Sequence, residues 1–326
     1  MKNPTFCIGL MSGTSLDGLD ICYVRFDDIQ HFEILQAETI DYSADWRTKL
    51  TEAYQYSAMD LCQLDVEFGY FLGEQVKEFI YKNNIQQIDF VASHGQTIFH
   101  QPQKSFTLQI GNGAAIASRC QQRVVCDFRT QDVILGGQGA PLVPIGDELL
   151  FSQYDACLNL GGFSNISMNR NGKRIAFDIC PINIVLNHFA KQLGSEYDKN
   201  GEIAEQGNVN NDLVEKLNRI EFYQQAFPKS LGFEWVEKEF LTIVDKYDIP
   251  IEDKLRSCVE HFAFQLQNIF ALHDINNVLI TGVGVRNSFF INRLRELSNV
   301  EIIIPTDHLI DFKEALIFAF LGYRRF

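Results

Sequence analysis

The chain has 326 residues, enough for two domains of ordinary size, and its 46% hydrophobic content can fill substantial cores. A formal net charge of −14 disfavours nucleic acid and anionic membranes as partners, and no run of about 18 apolar residues is present to span a bilayer. None of the eight cysteines forms a Cys-x-x-Cys pair and several lie in apolar runs, so they read as reduced thiols of a cytoplasmic protein rather than a disulfide frame or a zinc site.

The start runs straight into a strand over residues 6–10, leaving no room for a signal peptide. Gly9 lies in that strand, which feeds the turn Ser12-Gly13-Thr14-Ser15; Asp17, Gly18 and Asp20 then lead into a second apolar run over 19–26. Gly13 allows close backbone approach, and Thr14 and Ser15 offer N–H and hydroxyl donors. Such a turn suits a phosphate, with Asp17 holding a magnesium ion through water; the alternative is a plain polar hairpin turn. Apolar residues at helical spacing (Leu61, Leu64, Phe68, Phe71, Leu72, Val76, Phe79) predict one long amphipathic helix over 57–83.

A short strand over 89–92 precedes Ser93-His-Gly-Gln-Thr97, a polar cluster at the carboxyl end of a buried strand, where α/β folds bind ligands. His94, Gln96 and Thr97 can hydrogen-bond sugar hydroxyls, although His94 reads equally well as a satisfied structural histidine. Strands are predicted over 106–110 and 123–127. Asp127 and Arg129 either pair with each other or face a ligand, and Arg129 can hold a carboxylate or phosphate in a bidentate fork. The glycine-rich stretch 136–144 reads as a hinge or a close-approach loop, and a domain boundary is expected near Thr130, dividing the chain into 1–130 and 131–326. The sequence leaves open whether the last helix packs back on the first domain.

A second glycine turn, Leu158-Asn-Leu-Gly-Gly162, again follows an apolar stretch and precedes Ser164-Asn-Ile-Ser167. Gly161 and Gly162 thus repeat the first motif half a chain later, suggesting two similar domains facing one cleft. Asp178 ends an apolar strand before Pro181, Asn183 and a helix over 182–193; it reads either as a helix cap or as a general base. Tyr197-Asp-Lys-Asn-Gly201 reads as a turn in which Asp198 is functional or simply solvated, and 229–234 as a substrate loop. Helices are predicted over 251–273, 288–297 and 312–323, with strands over 277–281 and 300–304. The third glycine turn, containing Gly282 and Gly284, suits a nucleotide base and ribose. Glu314 begins the last helix, where a carboxylate suits the dipole. The alternation of strands and helices gives an α/β protein with mixed sheets.

Taken in order, these segments resemble the anhydro-N-acetylmuramic acid kinase family over almost the whole chain. The first turn (Gly9 to Asp20) and the later Gly-Gly-Gln-Gly-Ala-Pro stretch are its most specific motifs. The resemblance implies a two-domain actin-like ATPase (ribonuclease H-like) fold with an interdomain cleft, shared with sugar kinases and 70-kDa heat-shock ATPases. It implies ATP and Mg2+ as cofactors, a role in bacterial cell-wall recycling in the cytoplasm, an anhydro-amino sugar as substrate, and a homodimer. It assigns Asp178 as the base that activates water. Gly9, the turn with Ser12, Gly13, Thr14 and Ser15, Asp17, and the pair Gly161 and Gly162 would meet the phosphates, and Gly282 to Gly284 the adenosine. His94, Gln96, Thr97, Arg129, Asn183 and Glu314 would hold the sugar and its lactyl carboxylate.

The chain departs from the family pattern beside the base, where Ile179, Cys180 and Ile182 replace Thr and both Gly of Asp-Thr-Gly-Pro-Gly-Asn, and at Val283, which stands between two glycines. Two other classes compete: an ordinary hexose or amino-sugar 6-kinase, in which Asp178 would deprotonate a 6-hydroxyl, and a nucleotide-driven binding protein with no phosphoryl acceptor.

Overall fold

The structure is a computed structural model and describes residues 3–13, 16 and 18–326. It divides into two compact units, Met1–Leu150 with Phe312–Phe326, and Phe151–Asp311. Thr130 therefore lies inside the first unit, not at its edge. The next helix, Val143–Leu150, stays with that unit because Asp147 forms a buried ion pair with Lys313 (2.7 Å).

The first unit is built on a five-stranded sheet. Strands β1 (Thr5–Ser12), β2 (Gly18–Phe26) and β3 (Phe32–Asp41) run as an antiparallel meander, and β4 (Phe90–Ser93) and β7 (Val124–Val125) extend it in parallel from β1, giving the order β3-β2-β1-β4-β7. Between β4 and β7, strands β5 (Gln96–Gln101) and β6 (Phe106–Ile110) form a separate hairpin. β4 and the middle of β1 (residues 7–10) are buried on both faces, which is why they read as continuous apolar runs rather than alternating ones.

The long helix runs over Ala58–Lys82, close to the range that its periodicity predicts. Ser57 caps it by accepting the Asp60 N–H (3.2 Å), while the Ser57 hydroxyl donates to the Asp60 carboxylate (2.6 Å). Leu64, Phe68, Leu72, Val76 and Phe79 then form the buried stripe. The C-terminal helix, Asp307–Arg325, begins five residues before the predicted start and breaks helical geometry at Phe312. Its backbone lies hard on β1: a Cβ at position 9 would sit 2.1 Å from the Ala315 carbonyl oxygen. Gly9 is thus required for this packing, and the structure gives it no open face toward a phosphate.

The second unit repeats the plan. Strands β8 (Ala156–Leu160), β9 (Phe163–Arg170) and β10 (Lys173–Pro181) form an antiparallel meander, and β11 (Asn277–Thr281) and β12 (Glu301–Ile303) extend it in parallel from β8. Helices Asn183–Gln192 and Ile251–Leu272 contribute to its core through Val185, Leu186 and Phe189, and through Leu255, Cys258, Phe262 and Leu266. β1 and β8 therefore hold equivalent places in two like sheets. Among the described residues no helix is long and apolar enough to cross a membrane, and all eight cysteines are free thiols.

Candidate active site

In the first unit the predicted residues gather at the carboxyl ends of β1 and β4. Ser12 ends β1 and is buried; its hydroxyl donates to the Gln96 Oε1 (2.5 Å) and accepts from the Tyr42 hydroxyl (2.6 Å). Ser12 and the Gln96 carbonyl are thus committed to each other. The Gly13 carbonyl accepts the Leu16 N–H (3.2 Å). Thr14, Ser15 and Asp17, expected to bind phosphate and magnesium, lie outside the described residues. Thr97 is half-buried and accepts a long hydrogen bond from Gln109 (3.4 Å).

His94 is 5% exposed and has no ring nitrogen left for a sugar. The Arg129 Nε donates to its Nε2 (3.0 Å), so the proton sits on Nδ1, which donates to the Gly95 carbonyl (2.8 Å). The ring packs 4.4 Å from that of Phe318. His94 is therefore a holder of Arg129 rather than the ligand contact expected of it. Arg129 does not pair with Asp127, whose carboxylate instead accepts the Thr130 N–H (3.1 Å). The Arg129 Nη1 donates to the Gly139 carbonyl (2.6 Å), and the Gly139 N–H donates to Asp132 (2.7 Å). Thus the glycine-rich stretch is pinned to the arginine. Glu314 remains accessible to solvent, yet loss of surrounding water raises its carboxyl pKa; Lys313 and Arg129 oppose the rise and Asp147 adds to it.

Burial, and secondarily the Arg129 charge, lower the His94 pKa to about 4. A depressed histidine contributes stability that is full above the ordinary value near 6.5 and is lost as pH falls toward 4. Protonation would also turn Nε2 into a second donor facing the Arg129 Nε. Denaturation of the first unit, followed by Trp46 fluorescence, should show a midpoint that declines across this window, and His94→Gln should flatten the decline. Equal slopes in both proteins would sink the assignment.

In the second unit three turns converge. The Gly162 carbonyl accepts the N–H groups of Ile182 (2.8 Å) and Ile184 (3.3 Å), and the Gly161 carbonyl that of Asn183 (3.3 Å). The start of helix Asn183–Gln192 is thereby tied to the hairpin end. A Cβ at Gly162 would meet nothing within 4 Å, and its N–H has no partner among the described residues. An open, donor-bearing turn of this kind fits a phosphate. Gly282 and Gly284 differ. A Cβ at Gly282 (φ +86°) would lie 2.6 Å from the Asn159 side chain, and one at Gly284 would lie 2.9 Å from Leu160. Their small size is spent on packing β11 against β8, and Val283 between them is exposed.

Asp178 lies in β10 just before a β-bulge. Its N–H donates to the Lys229 carbonyl (3.0 Å), and its Oδ2 accepts the Leu231 N–H (2.8 Å). It is not the cap of the following helix. Partial burial raises its pKa, with the Leu231 N–H opposing. One carboxyl oxygen is thus fixed and the other carries no hydrogen bond among the described residues, an arrangement suited to a general base. Asp198 proves structural: its carboxylate accepts the N–H groups of Ile203 (2.8 Å) and Ala204 (3.0 Å) at a helix start. The sequence reading missed the Lys313–Asp147 pair beside Glu314 and the Leu231 N–H on Asp178.

Two sheets of one plan, each with a turn closing its first hairpin, define an actin-like ATPase fold, and the chain is a carbohydrate kinase of that fold. A family model described as Anhydro-N-acetylmuramic acid kinase matches residues 5–326, and the chain belongs to that family. It is 34% identical to the anhydro-N-acetylmuramic acid kinase of Clostridioides difficile, over 97% of this chain and 91% of the relative. It is likewise 34% identical to that of Haemophilus influenzae, over 99% and 92%. In fold it is similar to component A of the Acidaminococcus fermentans (R)-2-hydroxyglutaryl-CoA dehydratase, with a TM-score of 0.51 at 13% identity and 98% of each chain covered.

Proposed function

We propose that the protein uses ATP to open 1,6-anhydro-N-acetylmuramic acid and phosphorylate it, giving N-acetylmuramate 6-phosphate and ADP in cell-wall recycling. The observation that carries the chemistry is the Asp178 carboxyl, with one oxygen fixed by the Leu231 N–H, the other unengaged, and its pKa raised by burial. In this reading Asp178 takes a proton from water, the hydroxyl oxygen adds to the anomeric carbon, and the bond from that carbon to the bridging oxygen breaks. The released O6 attacks the γ-phosphorus and ADP departs. A carboxylate suits the task because it must accept one proton at short reach.

The open Gly162 turn and Gly13 are the proposed phosphate contacts, with Gly161 beside the one and Thr14 and Ser15 in the segment of the other; Ser12, its hydroxyl taken up by Gln96 and Tyr42, supports that segment from below. Magnesium, held by Asp17 through water, would supply neutralisation of phosphate charge. The Val283 turn is the proposed neighbour of the adenosine. Arg129, oriented by His94 and Gly139, is the proposed partner of the lactyl carboxylate, with Gln96, Thr97, Asn183 and Glu314 on the sugar. A cytoplasmic location and a homodimer go with this reading.

The test is turnover of the anhydro sugar in oxygen-18 water. Sugar-dependent ADP release should be accompanied by one heavy oxygen at the anomeric carbon of the product. Turnover only with a hexose bearing a free 6-hydroxyl, without label, would replace the proposal by an ordinary 6-kinase.

A further inference from the structure

We propose that Lys229 is a positioning residue for Asp178, acting by fastening the loop that grips the carboxylate. The inference rests on the reading of Asp178 as the base. The grip is two-handed: within three residues the loop offers the Lys229 carbonyl to the Asp178 N–H (3.0 Å) and the Leu231 N–H to the Asp178 Oδ2 (2.8 Å). These two bonds set the backbone and the carboxyl plane together. Alternate residues of the loop, Ala226, Pro228, Ser230 and Gly232, are exposed, while Phe227 and Leu231 pack against the core.

What ties it down is the Lys229 side chain. Its Nζ donates to the Phe222 carbonyl (2.9 Å) and lies 4.5 Å from the centroid of the Phe222 ring. Phe222 is a firm anchor: it is buried in the core of the unit and packs against Trp235, with ring centroids 5.2 Å apart. On the other side of Pro228, Phe227 stacks on Phe177, the residue before Asp178, at 5.0 Å. The loop is thus pinned at two points, by an aromatic stack and by an ammonium group. The ammonium is half-buried, and burial lowers its pKa. A carbonyl and a ring face satisfy it there. A lysine that only solubilised the surface would extend into water; this one folds back to close the loop over the base.

Misplacement of a catalytic group by about 1 Å costs on the order of a hundredfold in rate. Turnover of Lys229→Met, counted per nucleotide-binding site, should therefore fall about tenfold to a hundredfold. KM for sugar and ATP should stay within about twofold, because Asp178 is not needed to bind either. Amide hydrogen exchange at Leu231 should quicken, while exchange in helix Ile251–Leu272 stays unchanged. Lys229→Arg, which keeps the donor and the ring contact, should restore most of the rate and the protection. Normal turnover in Lys229→Met, a loss confined to KM, or a loss that arginine does not rescue would each overturn the proposal. Asp178→Asn in parallel separates the two ideas. If that variant is inactive while Lys229→Met is normal, the fastening fails and the base stands; if it keeps wild-type turnover, both fall.

Discussion

Asp178→Asn should lower kcat by roughly 10²- to 10⁴-fold, the range that a single general base contributes, with KM for both substrates little changed. Asparagine preserves the size of the side chain and can still accept the Leu231 N–H through its amide oxygen, so the loop should stay in place. What it loses is the basic oxygen on the unengaged side. The pH profile gives a second reading of the same group. A base must be ionised, and burial holds the Asp178 pKa above the ordinary aspartate value. Wild-type kcat should therefore decline on the acid side at a pH above that of an exposed aspartate, and the residual activity of the asparagine variant should lack that limb. Near-normal turnover, or an acid limb that persists in the variant, would remove Asp178 from its role.

The sequence made the skeleton of this protein legible where one physical signal dominated. The stripe from Leu61 to Phe79 has no reading other than a helix, and it forms Ala58–Lys82. Weaker signals gave way to local chemistry. The strand expected over 123–127 is only Val124–Val125, because Asp127 turns to positive φ (58°) and its carboxylate accepts the Thr130 N–H. β3 was not foreseen because its residues are half-exposed and its pattern, Phe-Glu-Ile-Leu-Gln-Ala-Glu-Thr-Ile-Asp, lacks a clean alternation. At the site, residue types marked the segments that gather but not the partners within them. His94 looked like a sugar contact because histidine can be one; its two nitrogens are taken by Arg129 and Gly95, and the arginine stands 35 positions away. Gly9, Gly282 and Gly284 looked like ligand cradles, yet each is small because another strand or helix presses on it. Gly162, by contrast, has open space where a Cβ would stand, a distinction that composition cannot draw.

Lys313→Met should be the most damaging single change outside the chemistry. The Lys313 and Asp147 side chains are 6% and 4% exposed and lie 2.7 Å apart, joining the C-terminal helix to helix Val143–Leu150 across 166 positions of sequence. Removing one partner leaves a charge in a low-dielectric interior, which costs about 3–5 kcal/mol. An exposed pair such as Lys49–Asp45 contributes at most about 1 kcal/mol. Because the chain holds two compact units, the loss should be read locally. The only two tryptophans are Trp46 in the first unit and Trp235 in the second, so in a Trp235→Phe background Trp46 fluorescence follows the unit that contains the pair. The urea midpoint should drop sharply in Lys313→Met, and Lys313→Met with Asp147→Leu should recover much of it, since an apolar pair of similar volume leaves no buried charge. A drop no larger than that of an exposed pair, or a double variant worse than the single, would show that these two charges do not hold the helices together. The same change should be felt at Glu314, whose carboxyl pKa Lys313 helps to restrain and Asp147 pushes upward. With the lysine gone, desolvation and the Asp147 charge act together, and Glu314 should take up a proton at higher pH than it does in the wild type. On this argument one buried pair bears both on the stability of the first unit and on the proton affinity of the proposed sugar contact beside it.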